Sequence, residues 1–163
     1  MTKVVINTSP LIVLFKSHLA YILPQLFTEI VVPEAVWHEI VEVNKTDLAA
    51  RQLPQVSWVK RVNLTHISPV ITAWGLDPGE SEVLSFAWFN SDYRTILDDA
   101  AARRVARTLN LPLIGTIGLI ILAKQRSLIP SISDALQSLK DSGLWISEDL
   151  VKFALQQTGE EEN

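Results

Sequence analysis

The sequence predicts a three-layer α/β/α sandwich with a central, mainly parallel sheet, and three observations carry that expectation. Four short runs, Lys3–Ile6, Glu29–Val32, Thr95–Leu97 and Pro112–Ile114, are apolar, rich in β-branched residues and continuous rather than alternating. That is the pattern of parallel strands covered on both faces. Helical stretches separate the runs, which implies crossover connections in one sheet. A chain of 163 residues, 48% of them hydrophobic, suits one domain with a full core.

In chain order, Lys3–Ile6 is the first strand, and Pro10 to Phe27 predicts two short helices broken near His18. After the second strand, Pro33 to Asn44 opens with Pro at a helix start and Glu beside it. Val56–Val62 reads as a further strand or an edge. Asp77 is the expected N-cap of a helix running through Pro78, Gly79 and Glu80 to about Asn90. Ala100–Leu109 and Thr116–Arg126 follow their strands directly. Ser131–Ser142 and Ser147–Thr158 are stopped by Gly143 and Gly159. One domain over residues 1–158 and an acidic, disordered tail over 159–163 are expected.

Bulk chemistry narrows the function classes. Cysteine is absent, which excludes disulfides and thiolate metal sites, so a metal would be held by oxygen or His. No run is long and apolar enough to span a bilayer, and MTKVVIN enters a strand without a cleavage-site pattern. A cytoplasmic protein is expected. The net charge of −4 does not advertise a nucleic-acid binder, although the field near a site matters more than the total. The five Trp residues are read as core or dimer-interface packing rather than base-stacking platforms.

Ligand crevices in open α/β sheets lie at the carboxyl ends of the strands. There the sequence places Asn7-Thr8-Ser9 after the first strand and Asp98-Asp99 after Leu97. Two helices add carboxylates. Glu80 shares its row with Val83, Leu84 and Ala87, at the margin of a buried stripe, whereas Glu82 is more peripheral; Glu39 borders Val36 and Val43. Carboxylates at an apolar margin are costly unless compensated, and Mg²⁺ or Mn²⁺ would do so. Taken singly, each has a structural explanation. Glu80 fits a capping box with Asp77, Asp99 could pair with Arg103 or cap the next helix, Glu39 could be solvated, and Asn7 could end its strand in a turn. What favours a site is that all fall where the topology puts one crevice.

The segments VVINTSPLI, VPEAVWHEI, LDPGESEVLSFA, ILDDAAARRVA and GTIGLIILAKQRSLI occur in an order and spacing that resembles PIN-domain proteins, over Val4 to about Gly159. The branch it resembles is that of small prokaryotic PIN proteins similar to the VapC toxins of type II toxin–antitoxin pairs. The resemblance implies a ribonuclease dependent on Mg²⁺ or Mn²⁺, with Glu39, Glu80 and Asp99 as the family's second, third and fourth acids and Asp98 adjacent. It further implies Ser9 as a supporting hydroxyl and Thr116 near the same edge. The first acid of such sites is Asp, whereas this chain has Asn7, a neutral oxygen donor that weakens a hard-cation site. Asn7, Glu80, Asp98 and Asp99 are thus the candidate metal ligands.

Around this set, Arg103, Arg104 and Arg107 suit phosphate binding or a solvated helix face, and Arg103 could orient Asp99. Lys124 and Arg126 could bind phosphate or complement a helix C-terminus. His18, His38 and His66 lack metal-ligand spacing, and GTIGL has too few glycines to cradle a phosphate. Three functions compete. The first is a metal-dependent ribonuclease with an RNA substrate, a homodimer paired with a small antitoxin. The second is a PIN-fold interaction protein with an impaired site. The third, a phosphotransfer domain, has no DxD motif near the N-terminus to support it.

Overall fold

A computed structural model describes residues 2–160. Five parallel strands, β1 (Thr2–Ile6), β2 (Phe27–Pro33), β3 (Val59–Val62), β4 (Tyr93–Ile96) and β5 (Leu113–Ile114), form one sheet in the order β3-β2-β1-β4-β5. Helices flank it. The central strand β1 buries Val4, Val5 and Ile6 completely, and β2 does the same with Ile30, Val31 and Val32. Each such side chain contributes about 1.5–3 kcal/mol of burial. Val59–Val62 is one of the two edge strands, and its exposed Lys60 and Arg61 are tied to Glu29 and Glu34. Charges of this kind discourage edge-to-edge pairing.

Up to the second strand the α-helices are α1 (Thr8–Lys16), which begins two residues before Pro10, and the short α2 (Leu23–Leu26). The break falls at His18, whose φ of 61° lets the Leu19 N–H return to the Leu14 carbonyl at 2.8 Å. The same helix-ending turn occurs at Asn110, Ser127, Gly143 and Gly159, all with positive φ. Only the two glycines among them announce it in the sequence.

The stretch expected as one helix from Pro33 to Asn44 divides in two. An α-helical turn, α3 (Glu34–His38), passes into a π-turn over Glu39–Val43, closed by the backbone N–H and side-chain amide of Asn44 on the Glu39 carbonyl. Such insertions are frequent at functional positions. Two short helices, α4 (Leu48–Gln52) and α5 (Pro69–Thr72), were not foreseen; each is too short to show a helical period. Helices α6 (Pro78–Phe89), α7 (Ala100–Thr108), α8 (Thr116–Gln125), α9 (Ile132–Asp141) and α10 (Glu148–Thr158) lie close to the expected bounds.

The tail was placed from Gly159, but Glu160 is held: its carboxylate accepts from the Ser131 hydroxyl and the Ile132 and Ser133 N–H groups at the start of α9. Residues 161–163 lie outside the described residues. Of the five tryptophans, expected in the core or at a dimer interface, two pack against the core. Trp37 and Trp58 are half-buried, the latter stacked on Phe15, while Trp74, Trp88 and Trp145 are exposed. The core is filled by aliphatic side chains from both helical layers. No helix among the described residues is long and apolar enough to cross a membrane.

Candidate metal centre

From β1 the chain crosses to β2 and then β3 on one side, and later returns to place β4 and β5 on the other. Strand order therefore reverses at β1 and β4, the position where open α/β sheets form a crevice. Ile6 pairs with Ile96, and the Asn7 N–H still donates to the Ile96 carbonyl at 3.1 Å. The polar residues that follow the two strands thus leave the sheet at one level. Asn7 stands directly after β1, and Asp98 and Asp99 follow β4 after Leu97.

Asn7 occupies the N-cap position of α1, but its side chain does not cap the helix. The third helical residue is Pro10, which has no N–H to offer. The Asn7 amide, buried to 5% exposure, is left for the crevice. Beside it, the buried Thr8 hydroxyl donates to Glu39 Oε2 at 3.0 Å. Gly79, in the first turn of α6, closes this group. A Cβ built there would stand 3.2 Å from Glu39 Oε2 and 3.5 Å from Asn7 Oδ1. Two oxygen donors from different elements therefore flank a space kept open by the missing side chain.

The second group is more strongly charged. Asp77 caps α6 by accepting from the Glu80 N–H at 2.8 Å. Glu80 is half-buried, and its carboxyl is pushed up to about 7. Burial is the largest cause, followed by the negative charges of Asp77 and Asp99. Asp99 is exposed and caps α7, with Oδ2 accepting from the Ala102 N–H at 3.0 Å. Among the described residues no salt bridge reaches Glu39, Asp77, Glu80, Asp98 or Asp99. These carboxylates take hydrogen bonds from hydroxyls and backbone N–H groups but have no basic side chain as partner.

The remaining candidates take other positions. Asp98 faces Thr116, taking its N–H on Oδ1 at 2.8 Å and its hydroxyl on Oδ2, so that β4 is tied to the start of α8. Ser9 is exposed, and the hydroxyl that meets a site carboxylate is that of Thr8. Sequence reasoning missed Thr8 because both hydroxyls follow the same strand and only the helix phase separates them. Arg103 does not orient Asp99: its Nη1 donates to the Leu97 carbonyl at 3.0 Å, and its guanidinium lies across Gly115, where a Cβ would collide with it. Lys124 is engaged by the Pro130 carbonyl and by Glu160, while Arg104 and Arg107 are exposed. His38 pairs with Glu42, and Glu82 reaches across from α6 to accept the Ala35 N–H at 3.2 Å.

A family model, DUF3368, described as a PIN domain, matches residues 3–160. The chain belongs to the PIN-domain family. No curated protein and no solved structure matches it with significance. The PIN domain is a nuclease-type fold, and PIN domains generally depend on a divalent metal. The donor chemistry of this crevice suits such an ion, since every donor is a hard oxygen and the carboxylates lack cationic partners. The donors stand in two groups, Asn7 with Glu39 and Glu80 with Asp99. Among the described residues, no three acidic or His side chains converge closely enough to grip an ion as they stand.

Proposed function

We propose that this PIN domain is a divalent-metal-dependent ribonuclease that hydrolyses RNA phosphodiester bonds, with Asn7, Glu39, Glu80 and Asp99 holding Mg²⁺ or Mn²⁺. The observation that carries this reading is Glu80, a half-buried carboxyl pushed up to about 7 by burial and by neighbouring carboxylates that no cation neutralises. A divalent ion, when bound, supplies positive charge that stabilises the negative charge developing on a phosphodiester. Thr8 holds the Glu39 carboxylate toward Gly79 and so orients it. Burial, with the charges of Asp77 and Asp99 beside it, keeps Glu80 able to hold or release a proton near neutrality. Asp98 serves by fixing the β4 end to α8, which leaves Asp99 as the carboxylate of that pair facing the crevice.

In the cell we place the protein in the cytoplasm, as a homodimer and as the toxin of a type II pair whose antitoxin shields the crevice. The resemblance of the chain to small VapC-like proteins supports that placement. The test is RNA cleavage by the purified protein with Mg²⁺ or Mn²⁺ and with chelator, beside Glu80→Gln and Asp99→Asn. Metal-dependent cleavage lost in both variants is expected. Cleavage indifferent to chelator, or surviving both substitutions, would sink the assignment.

One observation favours a second reading, a PIN-fold interaction protein. Asn7 brings a neutral oxygen where charge would tighten a hard cation. Absence of both cleavage and measurable metal binding in the parent protein would select that reading. Asn7→Asp is the companion measurement, and tighter Mn²⁺ binding is expected if the position faces the ion.

A further inference from the structure

A groove of about 290 Å³ opens at Asp98, the neighbour of Asp99 in the chain. Asp98, Arg103 and Gly115 line it together with Leu144, Trp145 and Phe153. Trp145 lies between α9 and α10 and is 84% exposed, far more than the other large apolar side chains of the described residues. Phe153 beside it is 49% exposed. An indole held in water at the rim of a groove costs hydration free energy that a flat apolar ligand would recover. The same lining carries charge. Arg103 is half-buried, donates to the Leu97 carbonyl and has no carboxylate partner among the described residues. Asp98, the nearest acid on the groove wall, has both oxygens engaged by Thr116.

A ligand that joins a flat apolar face to an anion matches a groove lined by both an indole and a guanidinium, and a nucleotide unit is such a ligand. Arg binds phosphate through several N–H donors, and bases stack on aromatic rings whatever their sequence. We infer that Trp145 and Arg103 form a subsite for one unpaired nucleotide of single-stranded RNA, with the base on Trp145 and the phosphate at Arg103, next to the crevice. The inference rests on the ribonuclease reading and names how that site would take its substrate. It selects single-stranded over duplex RNA, because a base already stacked and paired is not free to lie on the indole.

The test uses the full chain and a short fluorescein-labelled oligouridylate, with fluorescence anisotropy in EDTA so that binding is read without cleavage. Trp145→Ala should weaken binding about ten-fold, the loss expected for one base–aromatic stack, and Trp145→Phe should restore most of it. Affinity for a perfectly paired RNA should change less than the affinity for oligouridylate. With Mn²⁺, Trp145→Ala should raise KM and leave kcat unchanged. Equal affinity of parent and Trp145→Ala for oligouridylate would overturn the subsite. So would conversion of a dimeric parent to a monomer by Trp145→Ala, which would make this face a contact between copies of the chain. Cleavage with an unchanged KM in Trp145→Ala would remove the subsite and leave the ribonuclease reading standing. If the parent neither binds nor cleaves RNA, both fall.

Discussion

The Thr8 hydroxyl donates a hydrogen bond to Glu39 Oε2 at 3.0 Å, joining the first turn after β1 to the π-turn after α3. Thr8→Val keeps the shape of this buried side chain and removes the donor. It should cost about 1 kcal/mol of stability, the usual net worth of one hydrogen bond. Activity should fall roughly ten-fold, as when a partner that orients a metal ligand is lost. Thr8→Ser should retain most activity. Parallel urea unfolding curves and initial cleavage rates check both, and full activity in Thr8→Val would remove Thr8 from the site.

Gly79→Ala separates stability from metal binding. The helical backbone at Gly79 accepts a side chain without φ strain, so stability should stay within about 1 kcal/mol of the parent. The new methyl, however, would lie 3.2 Å from Glu39 Oε2 and 3.5 Å from Asn7 Oδ1. Calorimetric titration should therefore show weaker Mn²⁺ binding in Gly79→Ala. Unchanged affinity would place the ion elsewhere.

Glu80 links pH to stability in the metal-free protein. Its folded value of about 7 lies above the ordinary 4.5. The stability it contributes is therefore full below about 4.5 and is lost as pH rises through 7. At pH 8 in chelator, Glu80→Gln should be more stable than the parent by about 1–2 kcal/mol, discounted for partial exposure. At pH 5 the two should differ little. Adding Mn²⁺ at pH 8 should stabilise the parent more than the variant. Denaturant melts at both pH values read this directly, and a less stable Glu80→Gln at pH 8 would contradict it.

Glu160 works in the opposite direction. Burial opposes its ionisation, but the Ile132 and Ser133 N–H groups and the Ser131 hydroxyl outweigh that and hold the carboxyl down at about 2. A depressed carboxylate stabilises the fold above its unfolded value of 4.5, and the contribution disappears as pH falls through 2. Glu160→Gln should lose about 2 kcal/mol at pH 7, comparable to a favourable charge at a helix N-terminus. The difference from the parent should shrink between pH 4.5 and 2. A pH-independent difference would mean that packing, rather than charge, holds this residue.

Much of the fold is determined by local signals in the sequence. Val4–Ile6 and Ile30–Val32 are strands because continuous β-branched runs suit a sheet buried on both faces. Asp77, Ser131 and Ser147 start helices because their side chains accept a backbone N–H three residues on. That Glu39, Glu80 and Asp99 belong near the strand ends is also legible there, from the helix phase and from the strand that Asp99 follows. The turn at Ser127 and the π-turn at Glu39 are not, because neither residue type demands its conformation. Only the tertiary structure decided which atoms of the site are free. The choice of Thr8 over Ser9 depends on a partner 31 residues away, and both Asp98 oxygens are taken up by Thr116, 18 residues on. Hydrogen bonds between distant segments exist only once the sheet has brought β1, β4 and their helices to one edge, so no local pattern could encode which oxygen each would occupy.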